Sequence, residues 1–339
     1  MNVLSRVADS IYWLNRYVER VENYARLIET YHQLSVENTE VADPLWLALV
    51  ESTADTAGFQ ETYGEISQDN VIEYLTFNRK NPNSIISCLY RARENARSIR
   101  EKISKDMWEA INELYNEVAD QSLRISELKD QSRTSAFFRD IRRSCHAFYG
   151  ISDGTLNHDD AYYFALLGRA LERADKTTRI LDLQSYLLID DLRSPAGAAA
   201  NVSAPVAKHN SEGLERSEGQ ILLGLAILKA TSAHEMFNQA FARITVENIL
   251  EFLLLSRTFP RAIIASLLQI EYALRHLAGE QKGFLINPAQ KKVQRLLLET
   301  KHSDVANLTG PALNAYLDNL QVKLNEIGIE IGNTYFTAA

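Results

Sequence analysis

Cysteine, glycine and proline are all scarce in this chain of 339 residues, which contains 2 cysteines, 14 glycines and 7 prolines. The cysteines, Cys88 and Cys145, lie far apart and outside any paired motif. They are typical of small buried residues in a reducing compartment. Few glycines and prolines are present to interrupt helices, and good helix formers such as Leu, Ala, Glu and Arg are frequent. We therefore predict an all-α protein.

Long apolar runs and a positive charge excess are also missing. The formal net charge is −8 at pH 7, which argues against a general nucleic-acid binder because counterion release needs a basic surface. Arg6, Asp9 and Arg16 interrupt the N-terminal region, and no apolar run reaches the roughly 18 residues of a spanning helix. We expect no signal peptide, no membrane segment and a cytoplasmic location. A local basic groove remains compatible with this charge balance.

Familiar catalytic motifs are missing as well. The chain has no glycine-rich phosphate loop, no Gly-x-Ser-x-Gly elbow and no His-Glu-x-x-His. The Glu-x-x-His spacing of di-iron bundles occurs at Glu29/His32 and Glu299/His302. These pairs fall in non-equivalent helices, and partner carboxylates are not evident. We predict no metal site and no cofactor, and we assign no catalytic residue.

One long helical pattern, residues 2–34, dominates the N-terminal region. Its apolar residues recur every three or four positions on one stripe: Leu4, Val7, Ile11, Leu14, Val18, Val21, Ala25 and Ile28. The other side carries a charged series at helical spacing, which we call the ladder: Arg16, Glu19, Arg20, Asn23 and Arg26. Tyr12 and Trp13 share that side, which a solvated surface would not require. We interpret the helix as covered on both sides, with the ladder in a groove or partly buried.

The ladder occurs twice. A shift of 153 residues places Arg16, Glu19, Arg20, Glu22 and Arg26 on Arg169, Glu172, Arg173, Asp175 and Arg179. A second register, with a shift of 178 residues, joins identical residues in two later segments: Phe59, Asn70, Glu73, Leu75, Arg79, Pro82, Ile85, Ile86 and Leu89 meet Phe237, Asn248, Glu251, Leu253, Arg257, Pro260, Ile263, Ile264 and Leu267. Such matching argues for a duplicated helical unit.

The two registers predict the domain organisation. We expect one compact bundle of two similar antiparallel helical units, residues 1–150 and 151–339, with a helix ending at Gly150. The shifts differ by 25 residues, so the second unit carries an insertion between its first two helices. The segment 191–219 is rich in Ala, Ser, Gly, Pro and Asn and is predicted to be this insertion, as a mobile loop.

Three interpretations of the ladder are open. It could form intrahelical ion pairs on a solvated face, each worth about 0.3 to 0.5 kcal/mol. It could join the two ladder helices about a pseudo-two-fold axis, with Glu19 facing Arg173 and Glu172 facing Arg20, an arrangement that mainly fixes register. It could also be an anion site, where arginines bind phosphate or carboxylate groups bidentately. The donors in that case are Arg16, Arg20, Arg169 and Arg173.

Arg79 and Arg257 form a second duplicated pair, each three residues before a helix-starting proline. Each could hold a carboxylate at a helix N-terminus or tie the turn to the preceding helix, and the structural tie is favoured. The candidate ligand- or partner-binding residues are therefore Arg16, Glu19, Arg20, Arg26, Arg169, Glu172, Arg173, Arg179, Arg79 and Arg257.

The doubled Glu-Arg pair, at Glu19-Arg20 and Glu172-Arg173, resembles the alpha-E family of bacterial proteins. The resemblance covers nearly the whole chain, including segments 93–97 and 107–112 and the turn Phe259-Pro260-Arg261. Ala262-Ile263, where Ser-Val is expected, departs from the family pattern. The resemblance implies an all-helical fold and association with a circularly permuted ATP-grasp protein and transglutaminase-like peptidases. Such systems are suspected of making or modifying a peptide or amide product.

Three hypotheses of function follow, of which the first two belong to different classes. The leading one is a non-catalytic accessory or scaffold protein that holds an ATP-grasp ligase or its peptide substrate in the ladder groove. The second is a peptide- or amide-modifying enzyme that uses Glu19 or Glu172 as acid or base. A carboxylate flanked by arginines normally has a lowered pKa, which suits pairing better than proton donation. A third hypothesis is a purely structural network with the binding surface elsewhere.

Overall fold

The computed structural model describes residues 4–37, 42–53, 56–123, 125, 128, 130–193, 221, 223–278 and 286–337. Its α-helices are α1 (Ser5–Glu37), α2 (Ala42–Ser52), α3 (Thr56–Tyr63), α4 (Gln68–Thr76), α5 (Ile85–Ser98), α6 (Lys105–Ser122), α7 (Gln131–Thr155), α8 (Asp160–Arg193), α9 (223–230), α10 (His234–Ala240), α11 (Val246–Leu250), α12 (Ile263–Ala278), α13 (Pro288–Lys301) and α14 (Gly310–Tyr335). A π-helix, Glu251–Leu255, continues α11, and a 3₁₀ turn, Val305–Asn307, precedes α14. The described residues form no β-strand, so the predicted all-α class is confirmed.

The two ladder helices, α1 and α8, lie at the centre. Helix α1 packs against α5, α7 and α8, while α8 also packs against α12 and α14. Both sides of α1 are covered, because Leu14 and Val18 on the apolar stripe and Tyr12 and Leu27 on the ladder side are all buried. Leu4 does not belong to the buried stripe. It precedes the first helical residue and is 71% exposed.

Neighbouring helices follow the same order around each ladder helix. Helix α1 contacts α5, α5 contacts α6, α6 contacts α7, and α7 returns to α1. Helix α8 is surrounded in the same way by α12, α13 and α14. This order agrees with two similar antiparallel units, although the duplication itself stays a prediction.

Local features also recur at the 178-residue shift. Ser67 caps α4 by accepting a hydrogen bond from the Asn70 backbone, and Thr245 caps α11 in the same way with Asn248. Three aromatic rings repeat their arrangement as well. In the first segment Phe59 stacks on Tyr63 and meets Tyr74 edge-on; in the second, Phe237 does the same with Phe241 and Phe252.

Two predicted boundaries need correction. Helix α7 does not end at Gly150 but continues to Thr155, so the break between the segments lies at residues 156–159. A Cβ at Gly150 would meet nothing within 4 Å, and glycine inside a helix costs only about 1 kcal/mol relative to alanine. Residues 191–193 of the predicted insertion belong to α8. The remainder, 194–219, lies outside the described residues.

Helices α1 and α8 approach closely at Gly168. A Cβ built there would lie 2.3 Å from the Tyr12 backbone oxygen, so any larger side chain would push the two helices apart. The buried face of α8 is therefore complementary in shape to α1 at the level of Tyr12 and Arg16. Among the helices of the described residues, none is long and apolar enough to cross a bilayer.

Candidate functional site

The ladder residues meet between α1 and α8 in a buried network of ion pairs. Glu19 projects from α1 and Glu172 from α8, and both side chains are 0% exposed. Helical spacing brings the neighbouring arginines to the same faces, because residues three and four apart lie on adjacent turns. A charged series that could have been solvated is thus enclosed at the helix interface.

Glu172 has three cations around it. Its Oε1 accepts a hydrogen bond from Arg20 Nε at 2.7 Å, and its Oε2 accepts from Arg20 Nη2 at 3.1 Å. Arg16 Nε donates to Oε2 at 2.8 Å. Lys176 Nζ lies 3.6 Å from Oε1. Two arginines of α1 thereby hold a carboxylate of α8.

Glu19 is held in the reciprocal direction. Arg173 of α8 donates through Nε to Oε1 at 2.8 Å and through Nη2 to Oε2 at 2.9 Å. Arg261 Nη1 donates to Oε1 at 3.3 Å. The pairs Glu19–Arg173 and Glu172–Arg20 are those that packing about a pseudo-two-fold axis predicts. The solvated-face interpretation is wrong.

A second pair of carboxylates lies one turn further along each helix. Arg26 Nη1 bonds both oxygens of Glu22, at 2.6 and 2.8 Å, and Arg26 Nε donates to the Ala230 carbonyl at 2.6 Å. Arg261 Nη2 also reaches Glu22, at 2.8 Å. On α8, Arg179 Nε donates to Asp175 at 3.0 Å. Each ladder therefore also contains an internal pair four residues apart.

The environment keeps these carboxylates ionised. Burial by itself raises the pKa of Glu19, but the charges of Arg173 and Arg261 outweigh it and the pKa lies below its ordinary value. Burial is likewise outweighed by Arg20 and Arg16 at Glu172, whose pKa lies well below the usual range. Glu22 has a strongly lowered pKa and Asp175 a lowered one. Burial lowers the pKa of Arg26 to about 9, which leaves it charged at neutral pH.

The two halves of the network are not identical. Arg169 occupies the position of Arg16 but pairs with Asp153 at 2.9 Å and lies over the Tyr149 ring. Arg261, from the turn before α12, takes the place that symmetry would give to Arg169 beside Glu19. On the other side Asn83, the 178-residue counterpart of Arg261, accepts a hydrogen bond from Arg20 Nη1 at 2.9 Å.

The structure therefore separates the candidate residues into groups. Five of the ten form ion pairs between α1 and α8: Arg16, Glu19, Arg20, Glu172 and Arg173. Arg26 and Arg179 pair within their own helices, and Arg169 pairs with Asp153 of α7. Arg79 and Arg257 are exposed in turns and lie outside the network. Arg261 was missed as a candidate because it stands in a turn, where no helical spacing marks it. The resemblance drew attention to its turn but gave it no role.

The network offers little chemistry of its own. Glu19 and Glu172 are ionised and hydrogen-bonded to arginines, so neither is suited to donate or accept a proton near neutral pH. The one imidazole that contacts the described network is His146, whose Nε2 lies 3.2 Å from Glu22 Oε1. Arg16, Arg20, Arg173 and Arg261 have side-chain exposures of only 12% to 15%. Within the described part of the chain, no cluster of His, Cys, Asp and Glu could hold a metal ion. Glu29, from one Glu-x-x-His pair, bonds Arg142 at 2.7 Å instead.

The fold and this network define an all-helical protein built around two reciprocal Glu-Arg pairs. The chain belongs to the Alpha-E family, described as a predicted alpha-helical domain with a conserved ER motif, which matches residues 3–336. It is similar to uncharacterized proteins of Mycobacterium bovis (Mb2597) and Mycobacterium tuberculosis (MT2643), each 22% identical over 289 residues. The match covers 81% of this chain and 30% of each relative. No solved structure matches the chain.

Proposed function

We propose that this chain is a non-catalytic accessory or scaffold protein of a peptide- or amide-forming system. In this proposal it holds an ATP-grasp ligase or its peptide substrate on its outer surface. The ladder network fixes the relative position of α1 and α8, around which the other helices are arranged. The surface that the partner contacts then keeps a constant shape.

The observation that carries the proposal is the burial and reciprocal pairing of Glu19 and Glu172. Glu19 and Glu172 are fully enclosed and each accepts hydrogen bonds from two arginines. An acid or base in an active site needs access to substrate and a pKa near the working pH, and these carboxylates have neither. A structural role for the pairs leaves partner binding to exposed residues.

The length of the mycobacterial relatives is a second observation that supports an accessory role. The matched segment accounts for 30% of the length of each mycobacterial relative. In those relatives an Alpha-E-like segment is therefore joined to much additional sequence. This arrangement agrees with an accessory segment that works beside other parts of the same polypeptide.

Arg79 and Arg257 are the ladder-independent candidates for partner contact. They occupy equivalent turns, are exposed, and can bind carboxylates or phosphates bidentately without breaking the network. We place the ATP-grasp protein or its acidic peptide at one or both of these turns.

Association with the circularly permuted ATP-grasp protein of the same system tests the proposal. The two proteins are co-expressed, and the complex is measured by size-exclusion chromatography with light scattering. We expect a complex that weakens in the double variant Arg79→Ala/Arg257→Ala with an unchanged melting temperature. Arg97→Ala, which removes an exposed arginine of α5, is the matched control and should bind normally.

Two results would overturn the proposal. One is no association of the wild-type proteins at micromolar concentration. The other concerns the variants Glu19→Gln and Glu172→Gln. If either variant folds and still binds the ligase but the system no longer forms product, that result would favour the enzyme hypothesis.

A further inference from the structure

A pocket of about 550 Å³ lies beside the π-helix. Its walls are mainly apolar and are formed by Phe241, Phe252, Leu255 and Phe259, with Met236 46% exposed. This volume falls within the range of roughly 300–1,000 Å³ that is usual for ligand pockets. π-Helical turns inside α-helices occur frequently at functional sites. None of its lining residues belongs to the ladder network, although Pro260 directly precedes Arg261.

Comparison with the first segment, residues 59–89, which corresponds to residues 237–267 at the 178-residue shift, shows what distinguishes the region around this pocket. Phe241 and Phe252 correspond to Tyr63 and Tyr74, and their rings meet edge-on in both segments, at 6.3 and 6.0 Å. The Tyr63 hydroxyl interacts with the side chains of Glu73 and Asn78. Phe241 has no hydroxyl with which to engage the equivalent residues. The corresponding helix α4 is also regular, whereas Glu251–Leu255 is a π-helix.

Glu251, the counterpart of Glu73, lacks the tyrosine hydroxyl that Glu73 contacts. It lines the pocket and is exposed, and it makes no ion pair with any residue that the structure describes. Thr258 replaces the Lys80 of the first segment, so the pocket has no cation at that position. Arg257, in the same turn, is not among the lining residues. An apolar pocket therefore has at its edge an exposed carboxylate with no ion-pair partner in the part of the chain that the structure describes.

We infer that this pocket binds an aromatic or large aliphatic side chain that carries a positive charge beside it, as in a basic peptide segment. The ring or aliphatic chain contacts the phenylalanine walls, where burial of apolar surface drives binding. The cation pairs with Glu251, which sets the preference for basic over acidic segments. The inference goes beyond the proposed function, because it concerns a binding chemistry that holds whether or not an ATP-grasp protein is the partner.

Small probes test the pocket directly. 2-Phenylethylamine combines the ring and the cation, 2-phenylethanol keeps the ring without charge, and 3-phenylpropanoate reverses the charge. Methionine methyl groups labelled with ¹³C report binding by NMR, because the chain has 3 methionines and Met236 lines the pocket. Met107 is buried in α6 and serves as the internal control. We expect the amine to shift the Met236 signal saturably, with affinity in the order amine, alcohol, carboxylate.

Three variants assign the effect to named residues. Phe241→Tyr restores the first-segment residue and should weaken binding of the amine by about two- to tenfold, the range of one hydrogen bond that closes on Glu251. Glu251→Gln should weaken the amine by about two- to fivefold and leave the alcohol unchanged. Thr258→Lys should weaken the amine through repulsion. Tyr63→Phe, at the equivalent position of the first segment, is the matched control and should bind as wild type.

Folding of each variant is verified by the Met107 signal and the melting temperature. The inference is overturned if the amine leaves Met236 unshifted or if 3-phenylpropanoate binds as tightly as the amine. It is also overturned if folded Phe241→Tyr and Glu251→Gln both bind like wild type. These results are independent of ligase association, so this inference and the proposed function can fail separately.

Discussion

Glu172 and its surroundings show how the network acts at the scale of single residues. Its carboxylate is enclosed, so the free energy of its ionised form depends on Arg16, Arg20 and Lys176 rather than on water. Removing the charge of Glu172 leaves Arg16, Arg20 and Lys176 close together without their shared carboxylate. Breaking a buried ion pair destabilises a protein by more than the pair stabilised it, because one charge is left buried without a partner.

Glu172→Gln is therefore expected to destabilise the fold by about 3–5 kcal/mol. Urea unfolding followed by circular dichroism measures this loss. The matched control is Glu299→Gln, which removes the charge of a half-buried surface glutamate paired with Arg295 and Lys323. That change should cost less than about 1 kcal/mol. Equal effects of the two substitutions would contradict a structural role for the buried pair.

The sequence identified most of the network and favoured a groove or partial burial for it, but the spacing alone left a solvated face open. Spacing placed Arg16, Glu19 and Arg20 on one face, and the repeat supplied their partners on α8. The same spacing also suits a solvated face, because local ion pairs and buried cross-pairs use identical residue types. Only packing against a partner helix distinguishes them. Arg261 carried no periodic signal, and Arg169 matched its counterpart in sequence but pairs with Asp153 instead.

At the scale of helices, the contact of α1 with α8 depends on a glycine. Gly168→Ala should destabilise the protein by about 1–3 kcal/mol, since the new methyl group would overlap the Tyr12 carbonyl and rigid backbone must move. Gly154→Ala is the matched control within α7, where a Cβ would meet nothing within 4 Å. It should be neutral or stabilising by up to about 1 kcal/mol. A thermal melt of both variants distinguishes them, and similar melting temperatures would refute the close contact.

Helix identity was more predictable than helix boundaries. The pair Asn287-Pro288 is a typical helix start in sequence, and α13 begins there with a capping box formed by Asn287 and Gln290. Helix α7 passed its predicted end because glycine stops a helix only where the chain needs a left-handed residue. The π-helix at Glu251–Leu255 was not predictable, since the aligned residues of α4 form a regular helix from similar sequence.

For the whole molecule, the buried carboxylates predict the response to acid. Glu19, Glu22, Glu172 and Asp175 all have lowered pKa values in the folded protein. Their contribution to stability is fully present above the ordinary pKa values of unfolded Glu and Asp, about 4.3 and 3.9. It is lost as the pH falls through the lower values of the folded state, because the unfolded chain then binds more protons.

The free energy of unfolding should therefore vary little between about pH 7 and pH 5.5, as far as these groups are concerned, and fall steeply below about pH 4.5. Urea titrations at a series of pH values measure the curve. Glu172→Gln lacks one of the four groups and should show a shallower fall. Stability that increases on acidification would show that these carboxylates are not held by the arginines.

Limited proteolysis addresses the segment between α8 and α9. Residues 193–213 contain no Leu, Ile, Met or aromatic residue and have prolines at 195 and 205, and this low hydrophobicity predicts that a protease cuts there first. The two fragments should remain associated, because α8 of the first packs against α12 and α14 of the second. Gel electrophoresis shows the cut and size-exclusion chromatography shows the association. First cleavage elsewhere, or separation of the fragments, would contradict the prediction.

The reciprocity of the Glu-Arg pairs has a consequence for how such a chain could originate. Arg173 stands at the repeat position of Arg20, and Glu172 at that of Glu19. A contact in which residue i meets j while j meets i is the signature of an isologous interface between identical subunits. Two copies of a half-length ancestor could thus have neutralised each other's buried charges as a homodimer. Fusion of the copies would make that dimer a single polypeptide, after which Arg169, Asn83 and Arg261 were free to diverge.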